Sequence, residues 1–172
     1  QRDILQIGVS PTVRIQLIEV GECAVARKPD LILETCLGSC VAVALYDSGA
    51  GTAGLLHVLL PRMRSVSMET KATKFADPGV RVLVERMEEA GARRDRMSAK
   101  LAGGASLLEA AGGFDLFQIG TRNAETAREM LDGMSIPVVS VETGGHVRRV
   151  VRFHVGTGRV TVRVIGQKER EL

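Results

Sequence analysis

The sequence predicts an α+β fold built from about nine short strands and two helices, and three observations carry that prediction. Short apolar runs recur between turn-forming glycine, aspartate and serine residues, which is typical of strands. Two other segments repeat apolar residues at helical spacing. The chain of 172 residues is 45% hydrophobic but holds only four Phe, one Tyr and no Trp, so a single domain with an aliphatic core is expected over residues 1–172.

Strand patterns dominate the first half of the chain. The predicted strands are 14–26, broken at Gly21, then 31–33, 41–47 and 54–61. A tight turn is expected at Gly38 and Ser39, and the turn-rich residues 47–51 divide the two longer strands. Residues 62–76 are polar and predict a mobile loop, and residues 1–14 form an N-terminal extension to which the sequence assigns no role.

Two helices are predicted in the middle of the chain. The first starts with Asp77 as N-cap and stops at Gly91, because aspartate accepts hydrogen bonds from the free N–H groups of a first turn and glycine tolerates a left-handed end. Its apolar residues at helical spacing are Val80, Leu83, Val84 and Met87. The second helix runs over residues 124–132, with Asn123 as N-cap and Gly133 at its end.

The last part of the chain predicts strands again. Residues 137–141 are apolar and predict a buried strand. Residues 147–155 and 159–165 alternate in polarity and predict a hairpin that turns at residues 156–158. The valines and the phenylalanine expected on its buried faces are Val151, Phe153, Val155, Val160, Val162 and Val164.

Charge and composition argue against several classes of function. The 23 basic and 20 acidic residues leave a net charge of only +3, and no aromatic-plus-basic stacking pattern accompanies the charge, so nucleic-acid binding is not expected. No apolar run reaches the ~18 residues of a membrane-spanning helix, and the N-terminus lacks the apolar centre of a signal peptide. The three cysteines, Cys23, Cys36 and Cys40, cannot all pair, which indicates a reducing compartment, and the cytoplasm is the expected location.

Cys40 is a candidate nucleophile because of the turn that precedes it. Gly38 and Ser39 place its thiol at the start of an apolar strand, where a sharp turn leaves backbone N–H groups unpaired. Such groups stabilise the negative charge that acyl transfer places on the former carbonyl oxygen. A thiol is mostly protonated at neutral pH, so a nearby base is also needed.

His57 is the candidate base. If an even-numbered loop centred on Ser48 and Gly49 joins residues 41–47 to 54–61, Cys40 lies directly opposite His57. Their Cβ atoms would then be about 4.5–5.5 Å apart on one face of the hairpin. An odd loop length would leave the two residues diagonal to each other, still within reach of an imidazole.

Other roles are open for these residues. A free cysteine in a strand is commonly an inert core residue, and a histidine inside an apolar strand is commonly a hydrogen-bonded core residue. Four residues are possible zinc ligands: Cys23, Cys36, Cys40 and His57. Their spacing does not match the common structural zinc sites. His146 and His154 lie beside arginines and are expected to be solvated.

Several segments together resemble one protein family. Leu37 to Val43, with His57 further on in HVLLP, resembles the site of the chemoreceptor glutamine deamidase CheD family. The other matching segments are VGECAV (20–25), AKLAGGAS (99–106), IGTRN (119–123), TGG (143–145) and TGRV (157–160). The resemblance extends over about residues 15–165 of this chain.

The resemblance implies a sandwich of mixed β-sheets flanked by helices, similar to bacterial toxin deamidases. It implies hydrolysis of selected glutamine side chains on the cytoplasmic helices of chemoreceptors, without metal or cofactor. Many members of the family also bind the phosphatase CheC and stimulate it. A non-enzymatic module that binds such a phosphatase is the alternative function.

The resemblance also implies site roles. Cys40 matches the family nucleophile and His57 the base, and Thr35 matches the third site residue, although some members carry that threonine one position earlier. Ser39 and Cys40 are then expected to hold the oxyanion. The glycine pairs Gly103–Gly104 and Gly144–Gly145 either let a substrate backbone approach closely or form tight turns.

Overall fold

Two five-stranded β-sheets pack face to face, and two long helices cover the outer face of one of them. The computed structural model describes residues 12–65, 67, 70–110, 112–113 and 118–172. The strands are β1 (Arg14–Leu17), β2 (Cys23–Ala26), β3 (Leu31–Leu37), β4 (Val41–Asp47), β5 (Thr52–Val58), β6 (Met97–Gly103), β7 (Val138–Thr143), β8 (Arg149–His154), β9 (Arg159–Val164) and β10 (Arg170–Glu171). The helices are α1 (Ala76–Glu89), the single turn α2 (Leu107–Ala110) and α3 (Ile119–Gly133).

Both sheets are mixed. Sheet 1 has the strand order β1-β3-β8-β9-β10, and only β1 and β3 pair in parallel. Sheet 2 has the order β2-β5-β4-β6-β7, and only β6 and β7 pair in parallel. The predicted α+β sandwich with flanking helices is therefore confirmed, with the long helices on one side only. Among the described residues, no helix is both long enough and apolar enough to cross a membrane.

Strand β4 belongs to both hydrophobic cores because its side chains alternate between two layers. Val41, Val43 and Leu45 pack against the helices, whereas Cys40 and Ala42 face sheet 1. Both cores are mainly aliphatic, as the composition predicts. The alternation also places Cys40, which directly precedes β4, in the space between the sheets.

A buried aspartate holds the far end of the β4–β5 hairpin. Asp47 is fully buried and accepts hydrogen bonds from the N–H groups of Gly49 (2.9 Å) and Ala50 (3.2 Å) in the connecting turn. It also accepts from the Arg93 N–H (2.8 Å) and the Arg96 guanidinium (2.9 Å). The turn is thereby fixed both to the strand that precedes it and to the segment that leads into β6.

The first helix starts differently from the prediction. The structure places Phe75 at the N-cap, so Asp77 lies inside the first turn and the predicted cap is wrong. The Asp77 carboxylate instead accepts a hydrogen bond from the Met63 N–H at 3.0 Å. The predicted stop at Gly91 is confirmed, because Gly91 has φ +96°, a left-handed value that glycine adopts without strain.

The second long helix begins earlier than predicted. α3 starts at Ile119, so Asn123 is a buried residue inside the helix and its predicted role as N-cap is wrong. The sequence does not show this helix start, because Gly120 lies in the first turn and glycine is a poor helix former. Gly120 occupies that place because the helix packs on the Gly104 backbone: a Cβ at position 120 would lie 2.4 Å from the Gly104 carbonyl oxygen.

The observed strand boundaries differ from the predicted ones where the backbone hydrogen bonds go to another segment. β5 starts at Thr52 and ends at Val58, short of residue 61, because the N–H groups of Leu59 and Leu60 donate to the Lys74 carbonyl. β7 lies at the edge of sheet 2, and Val139 and Val141 are exposed, so the predicted buried strand is wrong.

The predicted loop 62–76 contains a short helical turn at Ala72–Lys74, and its last residue already belongs to α1. Residues 66, 68 and 69 of the loop lie outside the described residues, as do residues 1–11 of the predicted N-terminal extension. The predicted C-terminal hairpin is confirmed, and its expected inward residues are buried.

Candidate active site

Cys40 and His57 lie on the same face of the β4–β5 hairpin, but they are not directly opposite. Ala42 pairs with His57, and the connecting turn occupies residues 48–51. The expected pairing of Cys40 with His57 is therefore wrong, because the turn is centred one residue later than the sequence suggests. Cys40 lies two residues before Ala42 and is diagonal to His57. Diagonal neighbours on one face are about 7–8 Å apart, which long side chains can span.

The turn before Cys40 crosses from sheet 1 to sheet 2 and leaves backbone donors unpaired. Leu37 ends β3 in sheet 1, and Val41 starts β4 in sheet 2. Among the described residues, no carbonyl accepts a hydrogen bond from the N–H of Ser39 or Cys40. Unpaired donors beside a nucleophile are the groups that an oxyanion site requires.

A second loop fixes this turn from the side of sheet 2. The N–H of Gly104 donates to the Cys40 carbonyl (2.8 Å), and the N–H of Ala105 donates to the Gly38 carbonyl (2.9 Å). Gly38 lies close to α2, and a Cβ there would lie 2.7 Å from Cδ1 of Leu107, so that side chain would have to move. The Cys40 turn is therefore held on both sides of the cysteine by backbone hydrogen bonds.

His57 is held by a threonine from the opposite sheet. Its ring Nδ1 lies 2.8 Å from Oγ1 of Thr35 and 3.3 Å from the carbonyl oxygen of Ile18. Thr35 Oγ1 also lies 2.7 Å from the same carbonyl, and it can only donate its single proton there. The hydroxyl therefore accepts from His57, which assigns the proton to Nδ1 and leaves the lone pair on Nε2.

The free ring nitrogen of His57 suits a base. His57 is only 3% exposed, and its Nε2 has no hydrogen-bond partner among the described residues. An unpaired buried nitrogen costs stability and calls for an explanation, and a catalytic role is one such explanation. Since Nε2 carries the lone pair and Cys40 lies on the same face, the ring can take up the thiol proton once the side chains approach each other.

Burial keeps both residues neutral at rest. It raises the pKa of the Cys40 thiol, against the lowering effect of the residue's own backbone N–H. It also lowers the pKa of His57, against the raising effects of the Ile18 carbonyl and of the Glu19 and Glu22 carboxylates. The resting pair is therefore a thiol and an unprotonated imidazole.

A cavity of about 330 Å³ reaches His57 and Thr35 from outside the sandwich. Exposed Leu17 and half-exposed Val20 form part of its apolar rim. Cys40 does not line this cavity, which opens onto the histidine and the threonine but not onto the cysteine.

The two glycine pairs have different surroundings. A Cβ on Gly103 would lie 2.3 Å from the Cys40 carbonyl oxygen, and one on Gly104 would lie 2.7 Å from that of Gly120. These two glycines therefore allow the protein's own backbone segments to pack closely. Gly144 has nothing within 4 Å of a Cβ position and, with Gly145, lines a separate cavity of about 200 Å³. Gly104 also lines that cavity, and a substrate role for both glycine pairs stays a prediction.

The other two cysteines lie on strands next to the site: Cys36 lines the same cavity as His57, and Cys23 pairs with Leu56. Cys36 is exposed and Cys23 is partly buried on β2, and both are free thiols. His146 is exposed as expected, and His154 is partly exposed. Within the described part of the chain, no three His, Cys, Asp or Glu residues cluster closely enough to hold a metal ion.

Two contributors to this geometry were not predicted. The Ile18 carbonyl contacts both Thr35 and His57, but a backbone oxygen leaves no mark in the sequence. Asn123 donates from Nδ2 to the carbonyls of Ser39 and Leu59, both at 3.0 Å. Its only signal was its place in the IGTRN segment.

Comparisons with known proteins identify the family of this chain. A family model described as CheD chemotactic sensory transduction matches residues 59–164. A probable chemoreceptor glutamine deamidase CheD of Caldanaerobacter subterraneus is 37% identical over 153 residues, covering 89% of this chain and 94% of that protein. A protein of the same description from Clostridium botulinum is 37% identical over 160 residues, covering 92% and 99%.

Among solved structures, the hypothetical protein YfiH of Bacillus licheniformis aligns with a TM-score of 0.45 and 14% identity, over 77% of this chain and 60% of that one. The family model covers more than half of the sequence but begins after His57, whereas the two relatives extend over about nine tenths of the chain. This chain belongs to the CheD family.

Proposed function

We propose that this protein is a glutamine deamidase that hydrolyses selected glutamine side chains of chemoreceptors to glutamate, with release of ammonia. The relatives described above carry that activity in their names. The observation that carries the chemical assignment is the Thr35–His57 contact, which leaves Nε2 of the histidine unpaired on the face that holds Cys40. A protein that served only as a binding module has no need of this arrangement.

The first half of the reaction forms a thioester. Nε2 of His57 takes the Cys40 proton while the sulfur attacks the carboxamide carbon of the glutamine. Negative charge develops on the former carbonyl oxygen, and the unpaired N–H groups of Ser39 and Cys40 are the donors available to it. The imidazolium then gives its proton to the departing nitrogen, the C–N bond breaks and ammonia leaves.

The second half regenerates the enzyme. A water molecule gives a proton to Nε2 of His57 and attacks the thioester carbon. The C–S bond breaks, the sulfur recovers its proton from the imidazolium, and the glutamate side chain is released. Thr35 and the Ile18 carbonyl hold Nδ1–H through both halves, so the ring returns to the same tautomer.

The substrate is a folded protein, so a surface around the site must bind it. The cytoplasmic helices of chemoreceptors are the expected substrate region, and each reaction adds one negative charge there. Like charges at neighbouring helix positions repel, and this shifts the packing of a helical bundle. Binding of CheC and a cytoplasmic location, which the family resemblance implies, stay predictions.

The direct test is a mass-spectrometric scan of a purified receptor cytoplasmic domain after incubation with the protein. Conversion of particular glutamines to glutamate is expected, with other glutamines unchanged. Release of ammonia should match the number of converted sites. A receptor that keeps every glutamine, under conditions in which Cys40 reacts with a thiol reagent, would contradict the proposed activity.

Replacing Thr35 with valine is expected to lower kcat by about 10- to 100-fold with little change in KM. The hydroxyl accepts a hydrogen bond from an imidazole that becomes charged during the reaction, and such bonds contribute about 1.5–3 kcal/mol. Valine keeps the shape of the side chain, so the fold should persist. Thr35→Ser restores the acceptor and should recover most of kcat. Steady-state kinetics of all three forms check this, and a valine variant as fast as wild type would remove Thr35 from the site.

A further inference from the structure

The β4–β5 hairpin carries Cys40 and His57, but it has no hydrogen-bonded residue pair, or rung, at the level of Cys40. The last pair of the β4–β5 ladder joins Val41 to Val58. Cys40 lies one residue beyond it, where β5 has already ended and Leu59 bonds elsewhere, to the Lys74 carbonyl. The ladder therefore does not fix the nucleophile relative to the histidine strand at this level.

A side chain from the helix layer bridges this gap. Asn123 of α3 is fully buried. Its Nδ2 donates to the Ser39 carbonyl, immediately before Cys40, and to the Leu59 carbonyl, two residues after His57, both at 3.0 Å. Because both partners are carbonyl oxygens, only the amide nitrogen can face them, which fixes the orientation of the side chain.

Core packing alone does not account for an asparagine at this position. Its Oδ1 is buried and has no hydrogen-bond partner among the described residues. An unpaired buried oxygen is costly, and asparagine is a poor residue for a helix interior. Leucine, of similar shape, would avoid both costs. What the asparagine provides is the pair of donors to Ser39 and Leu59.

We propose that Asn123 is a positioning residue for the Cys40–His57 pair. Its amide replaces the missing rung of the hairpin and fixes the separation between the turn that carries the nucleophile and the strand that carries the base. It touches only backbone carbonyls and takes no part in proton transfer. This inference rests on the proposed roles of Cys40 and His57.

The experiment measures how well His57 assists Cys40 without any receptor. In a background of Cys23→Ser and Cys36→Ser, Cys40 is the only thiol, and its rate of alkylation by iodoacetamide is followed from about pH 5 to pH 9. Near neutral pH the parent should react faster than the same protein with His57→Ala. Asn123→Leu should lose most of that advantage.

Kinetics on a receptor domain give the second readout. A displacement of about 1 Å in a reacting group can cost about 10²-fold in rate, so Asn123→Leu should lower kcat by roughly 10- to 100-fold. KM should change little, because Asn123 is buried and does not meet substrate. If the leucine variant does not fold, Asn123→Ser keeps one donor and should fall between parent and His57→Ala in the alkylation assay.

Thr126→Val is the matched control. Thr126 is also buried on α3 and makes no hydrogen bond to Ser39 or Leu59, so its loss should leave the alkylation profile as in the parent. A folded Asn123→Leu protein with the parent's alkylation profile would overturn the positioning role, even if it melted earlier. Because alkylation uses no receptor, it stays decisive if no receptor glutamine is deamidated, and only the proposed function would then fail.

Discussion

Replacing Cys40 with serine is expected to lower receptor deamidation by at least about 10³-fold while leaving the fold intact. A serine hydroxyl is a much weaker nucleophile than a thiol and gives up its proton far less readily, so the imidazole of His57 cannot activate it well enough. Serine fits the space of cysteine between the sheets, where Cys40 is 9% exposed. The measurement is glutamine conversion by mass spectrometry, together with a melting curve.

The other two cysteines provide the controls for this change. Cys36→Ser and Cys23→Ser alter an exposed and a partly buried thiol and should keep most of the activity. A Cys40→Ser variant that still converts glutamine at the wild-type rate would rule out the thioester mechanism. Equal losses in all three variants would show that the cysteines act through folding.

The loss of His57 is expected to be the second large effect. General acid–base groups contribute a factor of about 10²–10⁴ to the rate. His57 is proposed to act in both halves of the reaction, so His57→Ala should lower the rate by a factor within that range. His57→Gln fills the buried site better than alanine and separates loss of the base from loss of packing. An active His57→Ala variant would exclude this residue as the base.

The pH dependence of kcat/KM should report the titration of His57. The active form has an unprotonated imidazole and a bound thiol proton, and burial lowers the pKa of His57 and raises that of Cys40. The acid limb is therefore expected below the ordinary histidine pKa of about 6.5, and the alkaline limb above the ordinary cysteine pKa of about 8.5. Both apparent values belong to the coupled pair. The acid limb should vanish from the residual rate of His57→Gln.

The remaining histidines are the controls for both experiments. His146 is exposed and His154 lies on β8 in sheet 1, and neither belongs to the Cys40–His57 face. Alanine at either position should leave the rate within a few-fold of wild type and the acid limb in place. If the acid limb shifted in the His154→Ala variant instead, its assignment to His57 would be wrong.

The sequence could predict the parts of this fold that local patterns determine. The alternation of Val151 and Phe153 and the left-handed end at Gly91 were both readable from residue type and spacing. β6 was not, because its Ala, Ser and Gly residues are weak strand formers and the strand is held by its neighbours on both sides. β7 was taken for a buried strand because local hydrophobicity does not show that a strand lies at the edge of a sheet.

The candidate site divides in the same way. The motif around Cys40 and the apolar strand around His57 identified the two residues, and Thr35 followed from the family resemblance. The contact between Thr35 and His57 depends on how sheet 1 faces sheet 2, which no local pattern encodes. Asn123 was misplaced for a similar reason: asparagine before a helix-forming stretch is typical of an N-cap, and only the tertiary structure shows it inside a helix.

The turn held by Asp47 links active-site geometry to a distant part of the surface. Asp47 lies five residues along β4 from Ala42, the partner of His57, and is therefore roughly 17 Å away from it. Successive residues of a strand point to opposite faces, so a one-residue insertion or deletion there that slipped the pairing would swing the imidazole out of the inter-sheet space. Exposed turns usually tolerate such changes in length. This turn acts as a spacer, and its length helps to set the geometry of the proposed catalytic pair although it lies at the opposite end of the hairpin from Cys40.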